Sequence, residues 1–222
     1  MNKYIRGMDE SILNKITKLR YDNVKKSFKV PEVVTIGWDN ILADPPFNDS
    51  DTTKKELLHV SELTKNLSSS EIDLVKMVDA DPNLLYQKTL KKHNLEFPEE
   101  IFKKSWAIMY PVIENLKYKF NRPRPYQLAP LYNININIIE TNSHKRPAYP
   151  SGHTAYAALG AYILSAKYPQ YSSEFFSQVS TAGMARMLQG VHYPSDNEAS
   201  MVISAAIWEN IRYDLFPELQ NF

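Results

Sequence analysis

The sequence predicts an all-α fold, arranged as a single-domain helical bundle over residues 1–222. Apolar residues recur at helical spacing through several long segments, and helix-starting residues stand ahead of most of them. The one strand-like pattern, an alternation of Asn and Ile over residues 133–138, is too short to change this prediction. At 222 residues the chain is long enough to bury a sizeable core.

Residues 1–98 are predicted to form charged N-terminal helices and one extended arm. Asp9 precedes four apolar residues at helical spacing, the last of them Leu19, and this pattern predicts a capped helix over residues 9–28. Further helices are predicted from Asp51 or Thr52 to about Leu63, from a Ser68–Glu71 capping box to about Val78, and from Pro82 to about Asn94.

Residues 29–50 lack a helical pattern and contain three prolines, which disfavour helix interiors. They are predicted to form the extended arm, lying across the domain with Trp38 buried.

Residues 99–213 are predicted to form the helical core that carries the site. A wide apolar stripe predicts a long helix over residues 99–120, which a proline-rich segment then ends. Residues 126–149 are predicted to be loop, and three more helices are predicted over about 152–167, 172–188 and 194–213.

Charge and composition exclude several classes of protein. The formal net charge is +1, so no bulk field attracts nucleic acid or an anionic membrane. Without cysteine, the chain forms neither a disulfide framework nor a thiolate metal site. The sequence contains no run of about 20 apolar residues, so no transmembrane segment is predicted. The first ten residues lack a signal-peptide pattern, so we expect a cytoplasmic protein if the chain is full length.

The sequence around Pro194 carries the first candidate site residues. Proline suits the first position of a helix, which places His192 on the turn before it and Asp196 in the first helical turn. A carboxylate there can hold one imidazole nitrogen and leave the other free to attack. Gly190 fits a left-handed end to the preceding helix, which carries Arg186.

Two further segments add an anion site. Ser151 caps a predicted helix whose first N–H groups, near Gly152 and His153, suit an oxyanion. Lys117 and Arg124 supply positive charge from upstream. With the arginine and histidine already named, these groups predict a pocket for a tetrahedral oxyanion, with one group to attack it and one to protonate a leaving oxygen.

The three blocks, in this order, resemble the signature of a superfamily that contains type 2 phosphatidic acid phosphatases, bacterial class A nonspecific acid phosphatases and vanadium-dependent haloperoxidases. That signature is Lys, six residues and Arg-Pro; then Pro-Ser-Gly-His; then Ser-Arg, five residues, His, three residues and Asp. This chain departs from it once, because Ala185 stands where the family usually has serine. The resemblance covers roughly residues 100–212 and implies a helical bundle of the acid phosphatase/vanadium haloperoxidase type.

What the resemblance implies is a soluble, metal-independent phosphatase that hydrolyses phosphomonoesters through a phosphohistidine intermediate. His192 would attack phosphorus, Asp196 would orient its imidazole, and His153 would protonate the leaving oxygen. The phosphate would be bound by Lys117, Arg124, Ser151, Gly152 and Arg186. The expected partner is a small phosphorylated substrate. The protein is expected to bind no nucleic acid and to need neither a metal ion nor another cofactor. A homodimer is a further expectation, since soluble members of this kind often dimerise.

Two alternatives stay open at the level of sequence. The same pocket would hold vanadate as the cofactor of a haloperoxidase, although haloperoxidases of this superfamily are much longer chains. The pocket would also serve a non-catalytic oxyanion-binding protein, although the nucleophile, the acid and the orienting aspartate are all retained.

Other charged residues near the motifs are weaker candidates. His59 and His93 lie in polar helical contexts and are expected to be solvated. His144 belongs to a basic segment that would line the mouth of the site, and Arg122 lies off the signature spacing and stays unassigned.

The two histidine roles predict a bell-shaped pH profile centred at roughly pH 5–7. His192 must be neutral to attack, whereas His153 must be protonated to donate. Asp196 and bound phosphate would raise the pKa of His192 and the nearby cations would lower it, so the sequence leaves the direction open.

Overall fold

The computed structural model describes residues 9–22, 24–141 and 143–217, so both ends of the predicted domain lie partly outside the described residues. Within these ranges it contains helices and no β-strand, which confirms the all-α prediction. The helices are α1 (Glu10–Lys18), α2 (Asp51–Leu63), α3 (Ser69–Ala80), α4 (Leu84–Lys92), α5 (Glu99–Phe120), α6 (Pro125–Leu128), α7 (Gly152–Lys167), α8 (Ser172–Leu188) and α9 (Pro194–Leu215), with 3-10 turns at Ala129–Tyr132 and Pro169–Tyr171.

The central helix of the bundle is α7, which packs against α5, α8 and α9. Many of its buried positions are alanine or glycine, so neighbouring helices can approach closely. At Gly160 an added Cβ would lie 2.9 Å from the rings of both Phe102 and Tyr86. The predicted bounds of α5, α7 and α8 are confirmed, and α9 continues slightly beyond its predicted end.

The N-terminal helices α2, α3 and α4 cover α8. The predicted capping box is present at α3, where the Ser68 side chain accepts from the backbone of Glu71 and the Glu71 side chain accepts from the backbone of Ser68. The Tyr86 hydroxyl on α4 donates to the carbonyl of Ala157 on α7, so this region and the C-terminal helices share buried contacts. Glu56 on α2 is buried as well, and it reaches the candidate site described below.

The first predicted helix is wrong in length, because α1 ends at Lys18 rather than near residue 28. The apolar spacing stops at Leu19, whose backbone is already extended. Nine residues further on, the backbone of Phe28 exchanges two 2.8 Å hydrogen bonds with the side chain of Asn115 on α5. Tertiary contacts with α5 thus replace helical hydrogen bonds in this stretch. Position 23 lies outside the described residues.

The arm over residues 29–50 contains no helix or strand, as predicted, and crosses the core helices. Thr35 N–H donates to the Asn210 side chain on α9 at 3.0 Å. Trp38 is only half-buried, because it packs on the outside of the main core rather than within it.

The Asn-Ile alternation at 133–138 forms no strand. Its isoleucines are half-buried and its asparagines exposed, as a period of two requires. Asn135 and Asn137 hydrogen-bond to Ser61 and Thr64 at the end of α2. Helix α2, rather than a second strand, therefore holds this segment. The loop prediction for residues 126–149 is wrong at its start, where α6 and a 3-10 turn occupy residues 125–132.

Candidate active site

A cavity of about 420 Å³ is bordered by α5, the end of α3, the start of α7 and the turn before α9. Five of the eight predicted site residues line it, namely Lys117, Arg124, Gly152, His153 and His192. The other three are buried but do not line it: Ser151, Arg186 and Asp196.

The turn that presents His192 is fixed by the end of α8. Gly190 adopts φ +80°, and the N–H groups of Gly190 and Val191 donate to the carbonyls of Met187 at 2.8 Å and Arg186 at 3.3 Å. This is a Schellman ending, which requires the left-handed conformation that the sequence predicted at Gly190. A Cβ there would lie 2.8 Å from a backbone oxygen, so glycine is needed for space as well.

His192 is buried and hydrogen-bonded through both ring nitrogens. Its Nδ1 lies 2.9 Å from Asp196 Oδ2, as predicted, and that oxygen also accepts from Tyr193 N–H at 3.0 Å. Its Nε2 lies 2.8 Å from Nη1 of Arg124. Because a guanidinium can only donate, Nε2 is the acceptor, and we assign the imidazole proton to Nδ1. The lone pair therefore resides on the nitrogen beside Arg124.

Burial and the nearby cations, led by Arg124 and Lys117, hold the pKa of His192 well below its usual range. The imidazole is thus neutral at physiological pH, which is the state that a nucleophile needs. The structure supplies the direction of this shift, which the sequence left open.

Arg124 and Lys117 are both buried and each has several hydrogen bonds. Arg124 Nε donates to the carbonyl of Arg146 at 2.8 Å, and Nη1 also donates to the carbonyl of Val191 at 2.8 Å. Burial and the neighbouring Arg186 lower the pKa of Arg124 to about 10. The guanidinium therefore stays charged at neutral pH.

Lys117 Nζ donates to the carbonyls of Pro147, Ala148 and Pro150, at 2.8, 3.3 and 2.6 Å. Lys117 thereby ties the segment before α7 to the end of α5. Burial and the charge of Arg124 bring its pKa well below the usual lysine range.

The N-terminus of α7 is held against the N-terminus of α9. Ser151 N–H donates to the carbonyl of Asp196 at 3.1 Å, and the Ser200 hydroxyl donates to the carbonyl of Ser151 at 2.8 Å. The Ser151 side chain caps α7 through Thr154 N–H, as predicted. Gly152 lines the cavity at the first helical position, where an N–H group has no partner within the helix.

His153 lies at the second position of α7, and its Nε2 is 3.1 Å from the carbonyl oxygen of Asp79 at the end of α3. Burial and the charge of Arg186 lower the pKa of His153 to about 3. The predicted acid therefore carries no proton to donate at neutral pH before an anion binds.

Arg186 is hydrogen-bonded to two side chains of the protein, a contact that the sequence did not predict. Its Nη1 donates to Asp79 Oδ1 at 2.6 Å and its Nη2 to the hydroxyl of Ser143 at 2.9 Å, and that hydroxyl donates to the same carboxylate. Burial raises the pKa of Asp79, but the hydrogen bonds from Ser143 and Arg186 outweigh it and keep the pKa low. The Nε group of Arg186 is buried and has no hydrogen-bond partner among the described residues.

Sequence comparison with known proteins decides the family. Residues 105–216, half of the chain, match the profile described as the PAP2 superfamily. The chain belongs to the PAP2 superfamily. All eight predicted site residues fall within the matched segment, which also contains α7, α8 and α9.

Three curated relatives cover only part of this PAP2 chain. Two are described as non-specific acid phosphatases, from Salmonella typhimurium and Salmonella typhi, and each is 35% identical over 37% of this chain and 32% of its own length. A third protein of that description, from Providencia stuartii, is 28% identical over 47% of this chain and 41% of its own length. The match thus spans about a third of the length of the first two relatives.

Among solved structures, the chain is similar to a transmembrane PAP2-type phosphatidylglycerolphosphate phosphatase from Bacillus subtilis. It is 18% identical, covers 74% of this chain and 78% of its own, and superposes with a TM-score of 0.40.

Arg122 and Glu56 extend the hydrogen-bond network of Asp196 in this PAP2 chain, and neither contact was predicted from the sequence. Arg122 Nη1 donates to Asp196 Oδ1 at 2.6 Å, and its Nη2 donates to Glu56 Oε2 at 3.0 Å. The position of Arg122, two residues before the signature arginine, was the only available signal. Glu56 lies on α2, outside the matched PAP2 segment, and no local pattern marks it.

The outer wall of the cavity is aromatic. Trp106 packs against Tyr156 with ring centroids 4.2 Å apart and against Tyr110 at 5.6 Å, and all three residues line the cavity. A second ion pair, Arg146 with Glu114 at 2.6 Å, lies in the same wall. The cavity therefore combines basic side chains beside His192 with a wall that is largely aromatic.

Ala185, the departure from the PAP2 signature, is fully buried in an apolar cluster with Val78, Leu85, Ala157 and Ala182. The members of that cluster come from α3, α4, α7 and α8, and all of them are apolar.

The remaining histidines have different environments. His59 is exposed, as predicted, whereas the prediction for His93 is wrong, since it stacks on Tyr171 at 3.8 Å and bonds to Glu174 at 2.9 Å. His144 is buried and does not line the cavity, although Arg146 of the same basic segment does.

Over the described ranges, no three His, Asp or Glu side chains converge in a way that would hold a metal ion. In the same part of the chain, no helix combines the length and apolar character needed to cross a bilayer.

Proposed function

We propose that this chain is a phosphatase that hydrolyses phosphomonoesters through a covalent phosphohistidine at His192, without a metal ion. The observation that carries the proposal is the state of the His192 imidazole. It lines the cavity with Nδ1–H held by Asp196 and with the lone pair on Nε2, beside the buried guanidinium of Arg124. The acid phosphatase descriptions of the curated relatives support the same reaction class.

In the first step, the Nε2 lone pair of His192 attacks phosphorus in line with the leaving oxygen. The N–P bond forms as the P–O bond to the alcohol breaks, and His153 delivers a proton to the departing oxygen. Arg124 Nη1 then donates to a phosphoryl oxygen instead of to His192. Asp196 keeps the Nδ1 proton and stabilises the positive charge that develops on the imidazole.

In the second step, a water oxygen attacks the same phosphorus from the side that the alcohol has left. His153, now neutral, accepts a proton from the water, and the N–P bond breaks to release phosphate and neutral His192. The cycle conserves protons, because the proton that His153 gave to the alcohol is replaced from water.

Transition-state charge on the equatorial phosphoryl oxygens is stabilised by fixed donors and nearby cations. Arg124 and the N–H groups at the start of α7 are placed to donate directly. Lys117 contributes its charge while holding the segment before α7. Arg186 has one buried donor, Nε, left over from its contacts with Asp79 and Ser143. A cavity crowded with cations is the environment that favours an oxyanion.

Steady-state hydrolysis of nitrophenyl phosphate by the purified chain tests this proposal. We expect turnover that survives exhaustive treatment with EDTA, together with competitive inhibition by phosphate and by vanadate. Activity that is lost with EDTA and restored by a divalent ion would refute the metal-free mechanism. Halide oxidation by the vanadate-loaded chain, without phosphatase turnover, would favour the haloperoxidase alternative.

A further inference from the structure

Behind His192 lies a chain of buried charges that begins outside the PAP2 segment. Asp196 uses Oδ2 for His192 Nδ1 and Tyr193 N–H, and Oδ1 accepts from Arg122 Nη1 at 2.6 Å. The carboxylate is completely buried, so these three donors provide the stabilisation that water cannot. Its orientation, and through it that of the imidazole, depends on Arg122.

Arg122 is itself held on every side. Besides Asp196 it donates to the Ser195 hydroxyl at 2.8 Å and to Glu56 Oε2 at 3.0 Å, and its guanidinium lies 3.8 Å from the ring centroid of Tyr193. Only 2% of its side chain is exposed. Burial lowers the pKa of Arg122, but the attraction of Asp196, Tyr193 and Glu56 outweighs it, so the net shift is upward. The guanidinium is therefore a permanent cation between two carboxylates.

Glu56 closes the network from α2. Its Oε2 accepts from Arg122, and its Oε1 accepts from Ser195 N–H at 2.7 Å, in the first turn of α9. A carboxylate at this position also interacts favourably with the helix N-terminus. Glu56 thus fixes both Arg122 and the turn of α9 that carries Asp196.

We propose that Arg122 and Glu56 are positioning residues for the nucleophile, which act through Asp196 to orient His192 and to set how readily it takes up a proton. This role rests on the proposed function of His192. Neither residue touches the cavity, so neither contacts the substrate.

The charges predict effects of opposite sign for the two residues. Arg122 offsets the negative charge of Asp196, so its removal should strengthen the carboxylate's attraction for a protonated imidazole and raise the pKa of His192. Glu56 offsets Arg122, so its removal should let Arg122 act more strongly on Asp196 and lower the pKa of His192. A role in packing alone gives no reason for opposite shifts.

The other charged groups that face His192 stay unchanged in both variants. They are Lys117 on α5, Arg124 before α6, His153 on α7 and Arg186 on α8. All four groups lower the pKa of His192 when they are protonated, and the network of Asp196, Arg122 and Glu56 acts against that fixed background.

The test compares Arg122→Gln, Arg122→Lys and Glu56→Gln in the full chain. Two readouts are needed: the pH dependence of kcat and KM with nitrophenyl phosphate, and the titration of His192 followed by the ¹⁵N chemical shifts of its ring. Glu174→Gln is the matched control, because it makes the same chemical change at a glutamate that pairs with Lys92 and His93. Thermal unfolding shows which variants are folded.

In Arg122→Gln we expect the acid limb of kcat and the His192 titration to move up by about one pH unit. In Glu56→Gln we expect neither to move up, and kcat to fall about 10–100-fold while KM changes little. Arg122→Lys restores the charge and should return the acid limb toward the wild-type position. Its kcat should stay low, because a single ammonium group cannot bridge two carboxylates as a guanidinium does. The control should match the wild type in both readouts.

Folded Glu56→Gln and Arg122→Lys proteins with wild-type kcat would overturn the proposal, as would upward shifts of the acid limb in both Glu56→Gln and Arg122→Gln. If Arg122→Gln does not fold, kcat in the other two variants decides the question. Absence of turnover in the wild type would instead refute the proposed function, and the NMR titration would still report on Arg122 and Glu56.

Discussion

The two histidines of the cavity are held in very different ways. His192 is almost completely buried, and both its ring nitrogens are hydrogen-bonded, one of them to a network that extends through Asp196 and Arg122 to α2. His153 is only partly buried, and its Nε2 lies 3.1 Å from one backbone carbonyl, that of Asp79. The difference separates a group whose position and tautomer are fixed from one whose protonation must change twice in each cycle.

This contrast fits the demands of the two proposed roles. A nucleophile needs one tautomer and an exact approach to phosphorus, which rigid hydrogen bonds provide. A residue that acts first as acid and then as base needs a pKa that responds to the charge beside it. Burial and Arg186 lower the pKa of His153 to about 3 in the absence of an anion. A bound phosphate would raise it by offsetting that cation, so that the imidazole can take up the proton that the substrate brings.

The largest loss of activity is expected on substitution of His192, the histidine that is held rigidly. His192→Ala removes the attacking atom, so turnover of every phosphomonoester should fall by roughly 10⁴–10⁶-fold. Initial rates on aryl and alkyl phosphates measure this loss, with vanadate binding as a check that the site still forms. A variant that keeps more than a few per cent of wild-type activity on either substrate would show that another group attacks.

The next largest loss of activity is expected on substitution of His153, and its size should depend on the leaving group of the substrate. His153→Ala removes the proton donor, so hydrolysis of an alkyl phosphate should fall by about 10²–10⁴-fold. Nitrophenolate leaves with little protonation, so the loss on nitrophenyl phosphate should be much smaller. The ratio of the two losses is the measurement, and equal losses on both substrates would remove His153 from the role of acid.

Because the pKa values of both histidines are lowered, we expect the pH profile to lie at lower pH than the profile predicted from the sequence. The pKa of His192 lies well below its usual range, so His192 stays neutral, and able to attack, down to low pH. With the pKa of His153 about 3, the proton for the leaving group enters with a phosphate monoanion, whose second pKa is about 6.

We therefore expect kcat/KM to be flat from roughly pH 6 down to the acid limb at which His192 takes up a proton, and to fall about tenfold per unit above roughly pH 6, at a pH that follows the second pKa of the substrate. Profiles measured with two substrates of different second pKa test this expectation. A profile that keeps rising above about pH 8 would contradict it, as would a descending limb that ignores the substrate.

The smallest effect is expected at the departure from the family signature. Ala185→Ser adds a hydroxyl to an apolar cluster, where the carbonyl four residues earlier in α8 can accept its proton. We expect kcat to change by less than about threefold and stability to fall by about 1 kcal/mol or less. Denaturant unfolding and steady-state rates on the same preparation measure both. A gain in kcat of tenfold or more would show that the alanine weakens this site.

The sequence predicted the fold well where local signals agree with tertiary contacts. Ser151, Gly190 and Pro194 set the ends of α7, α8 and α9, and the same three signals place His192 and Asp196 within hydrogen-bond distance. The first helix was predicted too long because hydrogen bonds between Phe28 and Asn115, which lie 87 positions apart, decide that stretch.

The partners of the charged residues in the motifs could not be predicted from local sequence signals. Arg186 was predicted to face the phosphate, but Asp79, which is 107 positions away, engages it. Glu56 and Arg122 are 66 positions apart and meet only through the packing of α2 beside the loop before α6. Spacing along the chain identifies residues that share a turn or a helix, whereas these pairs depend on how separate helices pack.

The central claim is that His192 carries the phosphoryl group, and rapid quench with ³²P-labelled substrate tests it most directly. Peptide mapping of the quenched protein should find acid-labile, alkali-stable label at His192. The label should accumulate in His153→Ala, where the second step lacks its base, and should be absent from His192→Ala. Label that persists in His192→Ala, or that maps to His153, would contradict the assignment of the nucleophile.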